Sequence, residues 1–266
     1  MKRYPIWSYL NVSAVDAPLI SVAWYLYFVQ MSTETNLNMQ FCLILGLSVW
    51  LGYMADRLFD IRFNKNATFA SLRHQFCKEH ESKLWISWTA ILVFTVILSM
   101  ISLNNDKIVA GLALISFILL YNLLNQVFSQ KKFPKEICVA VIFACGTFFF
   151  LENPVKFNDF IQFCIICFLN CLILTHKDKK VDDKMSVHSW SHIFSHRTIT
   201  IIAVLACIYC LVANQGILNP YFATSLICTL LHISSNHIDE ESFRSIIESL
   251  YALIPTVALN CHWLTN

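Results

Sequence analysis

Nine apolar stretches, each close to the length that crosses a bilayer, dominate this 266-residue chain. A hydrocarbon core about 30 Å thick takes about 20 residues of helix. The stretches centre on residues 12–31, 39–58, 84–103, 108–127, 136–152, 158–176, 198–214, 218–234 and 245–263. The first is interrupted by Asp16 and Pro18, and the fifth and eighth are short. Charged residues make up 14% of the chain and hydrophobic ones 57%, where a soluble domain carries about 25% charge. That balance excludes a soluble enzyme, a disordered chain and a nucleic-acid binder. The expected fold class is an all-α integral membrane protein with nine transmembrane helices in one domain, residues 1–266.

The placement of charge tests the count. With Lys2 and Arg3 in the cytoplasm, nine spans put 17 of the 19 Lys and Arg residues on the inner side and only Lys107 and Lys156 outside. Cytoplasmic loops carry such an excess, so the N-terminus is expected inside. The inner loops after the second and sixth spans are long, about 25 and 20 residues, and long loops in a compact protein tend to be functional.

Ten of the eleven cysteines lie in or beside apolar runs, where cysteine behaves as a small hydrophobe. The pairs Cys164/Cys167 and Cys207/Cys210 fall mid-segment without a partner pair at zinc spacing, so neither a metal nor a redox role is expected of them. No cleavable signal peptide is expected, because Asp16 breaks the first apolar stretch and no convincing cleavage site follows.

The chemistry gathers at two helix ends. The second span runs into the cytoplasm as LGYMADRLFDIRFN, with Asp56 and Asp60 one turn apart and Asn64 one turn further on. The sixth leaves as NCLILTHKDKKVDDK, where Asp178 and Asp182 repeat the spacing and Asn170 lies two turns above on the same stripe. Residues four apart share a helix face, and like charges there repel. Two such pairs on one side of a membrane suggest a shared hard cation such as Mg²⁺, which takes one or two carboxylates and completes its shell with water and phosphate. Basic residues surround both pairs, among them Arg57, Arg73 and Lys177. Acid and base together at one membrane face suit a metal–diphosphate site.

At these residues the chain resembles the UbiA superfamily of intramembrane prenyltransferases. That family has nine helices and two aspartate-rich motifs after the second and sixth. In ADRLFDIRFN, Asp56 stands at the family's Asn position, Arg57 at the first Asp, Asp60 at the next and Asn64 at the last. Thr175, Asp178 and Asp182 stand at the positions of the second motif. Between them, YNLLNQVFSQKKFPKEICVAVIFACG is similar to the family's junction of helices four and five, with Tyr121, Lys131, Lys135, Glu136 and Gly146 in place.

The resemblance implies a UbiA-like bundle around a central cavity, in a bacterial inner (plasma) membrane with its active-site loops cytoplasmic. It implies transfer of an isoprenoid chain from a prenyl diphosphate to an acceptor. Mg²⁺ held by Asp56, Asp60, Asp178 and Asp182 would bind the diphosphate, and Arg57, Arg73, Lys131, Lys135 and Lys177 would neutralise it as charge develops. Asp16, Asn64, Tyr121 and Asn170 are expected in the cavity, where aromatic faces such as Trp24, Tyr25, Tyr27, Trp50 and Tyr53 stabilise an allylic cation. Two alternatives stay open: a UbiA-type terpene cyclase using the same ionisation, and a non-catalytic transporter or scaffold. His188, His192 and His196 recur every four residues and would form one helical stripe, able to hold a transition metal or to lie as a surface helix over the site. Asp239, Glu240 and Glu241 read as a helix N-terminal turn, where acids oppose the dipole.

Overall fold

The computed structural model describes residues 8–32, 37–63, 71–128, 134–153, 156–179, 190–213 and 219–265, and the regular structure among them is entirely helical. In chain order the α-helices are α1 (Tyr9–Val12), α2 (Asp16–Met31), α3 (Met39–Phe63), α4 (Leu72–Glu79), α5 (Glu81–Ser102), α6 (Asn105–Phe128), α7 (Lys135–Phe148), α8 (Phe157–Lys177), α9 (His196–Ala213), α10 (Pro220–Ser234) and α11 (Glu240–Thr265). Short 3₁₀ turns occupy Trp190–Ile193 and Ser235–His237. Each of the nine apolar stretches coincides with one of the nine longer helices among the described residues.

Five of these are long and apolar enough to cross a membrane: α3 over Met39–Arg62, α5, α6 over Asn105–Asn125, α8 and α9. Helices α2, α7 and α10 have only 16, 14 and 15 residues. Helix α11 has 26 but opens with Glu240, Glu241, Arg244 and Glu248.

Local chemistry fixes the starts. Asp16 sits in the first turn of α2, against the positive end of the dipole, and Pro18 falls where a backbone N–H has no helical partner anyway. The Asn219 side chain accepts the Tyr221 N–H at 2.9 Å, with Pro220 opening α10. The first stretch is divided where Ala14 takes φ 57°, a left-handed value unusual for a residue with a side chain. Ala14 is fully buried against Met54, Leu58, Ile61 and Cys77, and that packing holds the turn.

Helix α2 packs on α3, α7 and α11, and α8 packs on α7, α9, α10 and α11. Trp24 of α2 is the centre of the core. Its ring meets Tyr27, Phe28, Phe163 and Tyr221 at centroid distances of 5.7, 5.8, 5.0 and 5.4 Å. Its indole N–H donates to the Tyr251 carbonyl at 3.0 Å, and the Tyr251 hydroxyl donates to the Ile166 carbonyl at 2.6 Å. First, sixth and last long helices are thus tied by both packing and buried hydrogen bonds. Helices α5 and α6 stand at the outside. The most apolar windows of these two helices are 6% and 0% buried, and Ile86, Met100, Ile101, Val109, Leu119 and Leu123 are among the side chains they expose. Continuous apolar surface of this kind is matched by lipid tails, not by water.

Candidate functional site

The charged residues of the bundle meet where α3 and α8 end and where α4, α7 and α11 begin. On α3, Asp56 is exposed and Asp60 is partly so, with a side chain 36% accessible. Arg57, one position further round the helix, turns the other way. Its guanidinium is buried and donates to the carbonyls of Asn11 and Val12 at 2.7 and 3.0 Å at the end of α1, where the Asn11 carbonyl also accepts the Ala14 N–H at 3.0 Å.

Helix α4 lies in the long inner loop that follows the second span. Ser71 caps it, accepting the His74 backbone N–H at 3.4 Å, and the Ser71 hydroxyl also meets His74 Nδ1 at 2.6 Å. His74 Nε2 lies 3.4 Å from Asp60 Oδ2. Burial, and then the positive charges of Arg73 and Arg57, push the imidazole down to about 3. His74 is therefore neutral at physiological pH. The arrangement fits the tautomer whose Nε2–H donates to Asp60 while Nδ1 accepts from the Ser71 hydroxyl.

Asp178, which ends α8, is bound by two guanidiniums. Arg73 reaches its Oδ2 at 3.1 Å, and Arg244 of α11 donates to the same oxygen. Burial alone would raise this carboxyl, but the charges of Arg244 and Arg73 outweigh it and hold it below the usual carboxylate range. Arg244 also donates to Glu248 Oε1 at 3.3 Å. The Asn11 amide donates to both Glu248 Oε2 and Asp16 Oδ2, each at 2.8 Å. A connected path of charge thus runs from Arg73 through Asp178, Arg244, Glu248 and Asn11 to Asp16.

The remaining expected residues divide into three groups. Lys135 opens α7 and acts electrostatically on Asp56, Asp60 and Asp178, while Tyr121 of α6 lies within electrostatic range of Asp56. Lys177 donates to the Ser235 and Ile238 carbonyls at 2.5 and 2.7 Å and lies 5.4 Å from the centre of the Phe243 ring, so it holds the connection from α10 to α11. Asn64, Lys131 and Asp182 lie outside the described residues.

Behind the charged end is a small cavity of about 40 Å³, walled by α2, α3, α7, α8 and α11. Ala17, Ile20, Ala140 and Phe143 form an apolar part of the wall, and Tyr53, Asn170, Glu248 and Tyr251 supply polar groups. Tyr53 stands three residues before Asp56, almost one turn up the same helix, so one wall of the cavity is the helix that carries the α3 carboxylates.

Among the described residues no three His, Cys, Asp or Glu side chains gather as a ready metal cage. The donor set suits a cation that needs fewer protein ligands. Asp56 and Asp60, one turn apart and accessible, fit the one or two carboxylates that Mg²⁺ takes alongside phosphate and water. Asp178 is already matched by two guanidiniums and is the poorer donor.

Sequence reading missed Arg244 and Glu248 as a pair, and Asn11 altogether. A usable signal was present, because an ionisable residue inside an apolar span, as Glu248 is, marks a functional site by default. Glu241 behaves as a structural acid, accepting the Leu72 N–H at 3.2 Å. The histidine stripe is not one helix face. His192 lies in the Trp190–Ile193 turn, His196 opens α9, and His188 is outside the described residues. His196 instead stacks on His232 at 4.1 Å and lies 6.0 Å from His176. Cys164, Cys167, Cys207 and Cys210 are free thiols. Compared with protein-family models, curated proteins and solved structures, the chain gives no match.

Proposed function

We propose that the chain is an intramembrane prenyltransferase of UbiA-like type. It takes an isoprenoid chain from a prenyl diphosphate and, through an allylic cation, passes it to an acceptor. The observation that supports this reading is the grouping of Asp56, Asp60, Arg73, Lys135, Asp178 and Arg244 at one end of the bundle, all but Arg73 on helices that also wall a small, largely apolar cavity lined by Tyr53 and Glu248. In this reading all nine longer helices span the membrane, the N-terminus is cytoplasmic, and the membrane is a bacterial inner membrane with the charged end facing the cytoplasm.

Asp56 and Asp60 would hold Mg²⁺, with Asp182 contributing from the second motif. The ion supplies charge neutralisation at the phosphate oxygens when bound. Arg73 and Lys135, with Lys131, bind the diphosphate and take up the negative charge that grows on it as the C–O bond breaks. The isoprenoid chain lies along the apolar wall, where the faces of Tyr53, Tyr251 and Phe143 meet the cation and exclude water. Lys177 and Arg57 support this site by holding the α10–α11 connection and α1.

The test is equilibrium binding of geranylgeranyl diphosphate to purified protein with and without Mg²⁺. Wild type binds much more tightly with the metal than without it, and Asp56→Ala and Asp60→Ala each weaken the metal-dependent binding by about 10–100-fold or more. Folded protein that binds no prenyl diphosphate of any length would sink the reading. Product analysis then separates a prenylated acceptor from a cyclised terpene.

A further inference from the structure

The Arg73–Asp178–Arg244 cluster joins three separate helices at one oxygen atom. Arg73 comes from α4, Asp178 from the end of α8, and Arg244 from the first turns of α11. Both guanidiniums converge on Oδ2 of Asp178. A guanidinium and a carboxylate pair best as a two-pronged fork, with both oxygens used. Here two forks aim at a single point instead. Arg244 spends a second nitrogen on Glu248, but among the described residues Arg73 makes no other hydrogen bond than the one to Asp178, though it carries five N–H donors. At this one oxygen two guanidiniums meet a single carboxylate, with Lys135 acting on it as well; Arg244 also faces Glu248, and Arg73 and Lys135 also act on Asp56 and Asp60. The side chains of Arg73, Asp178 and Arg244 are 19%, 11% and 13% exposed, so the pairing is largely shielded from water.

We propose that Asp178 is an internal stand-in for phosphate: it keeps Arg73 and Arg244 assembled as an anion receptor and is displaced from them by the phosphate oxygens of a diphosphate. The inference rests on the prenyl-diphosphate reading above and adds Arg244 as a binding residue. A diphosphate carries more charge than one carboxylate and has tetrahedral oxygens to fill both forks. Displacement needs only side-chain rotation at a helix end. The released Asp178 carboxylate is then available to the metal that accompanies the diphosphate, so one residue serves the resting and the loaded state in turn.

The experiment uses inorganic pyrophosphate in EDTA, which separates anion binding from metal binding, on full-length protein in detergent. Asp178→Asn removes the competing anion and binds pyrophosphate about tenfold more tightly than wild type, while Arg244→Gln loses the binding. Because Asp178→Asn leaves the Arg73 guanidinium without its carboxylate and Arg244 with Glu248 alone, it is less stable than wild type. Its thermal midpoint is therefore followed as well: pyrophosphate restores it toward the wild-type value, as a ligand that re-pairs the arginines must. Unchanged or weaker metal-free binding in Asp178→Asn, or a midpoint that pyrophosphate does not move, overturns the proposal. The prenyl reading is scored separately by Mg²⁺-dependent binding of geranylgeranyl diphosphate to wild type. That binding with no gain in Asp178→Asn overturns the stand-in alone. A gain in Asp178→Asn with no prenyl-diphosphate binding overturns the prenyl reading and supports an anion receptor of another use.

Discussion

His74 is neutral because its surroundings are dry and positively charged, and this has a definite pH consequence. Its ordinary value of 6.5 falls to about 3 in the fold. An unfolded chain takes up the proton below pH 6.5, whereas the folded chain resists it, so the contribution of His74 to stability is full above 6.5 and declines as pH falls toward 3. Asp178 works in the same sense and lower down: its held-down carboxyl gives stability above its ordinary value of 3.8 that is lost as pH falls below it. The expected outcome is that wild type loses more thermal stability between pH 7 and 4 than His74→Gln does. Parallel curves would show that the imidazole is not the titrating group. At this scale the sequence was informative only for neighbours in the chain. Asp56 and Asp60 were legible because one helical turn separates them. Arg244 and Asp178 are 66 positions apart and Asn11 and Glu248 are 237, so only the packing of the last helix against α8 and against the start of the chain brings them together. Arg57 reads as a diphosphate ligand from its motif position, yet once Asp56 and Asp60 face the open side, their neighbour must face α1.

The elements were far more legible, since each apolar stretch has few ways to satisfy its backbone other than as a helix. What the pattern did not mark is the break at Ala14, which carries no glycine or proline signal, and the capped α4 inside a polar loop. Between elements, the close approach of α2 and α3 is set in part by Gly46. A methyl group there would meet Val22 at 3.5 Å, an ordinary contact. Gly46→Ala is therefore expected to keep or raise stability, by up to about 1 kcal/mol through helix propensity. Gly46→Leu should cost about 1–3 kcal/mol by overpacking. Thermal midpoints of the two variants check this, and equal losses in both would mean that the contact surface is not where Gly46 lies.

The whole molecule has two unlike ends. One holds Arg73, Lys135, Asp178 and Arg244. At the other, Lys107 donates to the Phe150 carbonyl at 3.3 Å and sits 4.4 Å from the centre of the Phe41 ring. With the charged end cytoplasmic, a cysteine placed at Lys156 in a chain stripped of its own cysteines should react with an impermeant maleimide on intact cells, and one at Lys78 only after permeabilisation. The reverse pattern would invert the orientation and leave the diphosphate site on the wrong side for a cytoplasmic substrate. The bond from Trp24 to Tyr251 and the amide of Asn11 set between Asp16 and Glu248 also constrain biosynthesis. The partners of the earliest helix are made last. Until α11 is made, the Asn11 amide lacks Glu248 and the Trp24 indole N–H lacks its carbonyl acceptor. Assembly is therefore completed late, and a message cut short before α11 leaves α2 with α3 and α7 but without its largest packing partner.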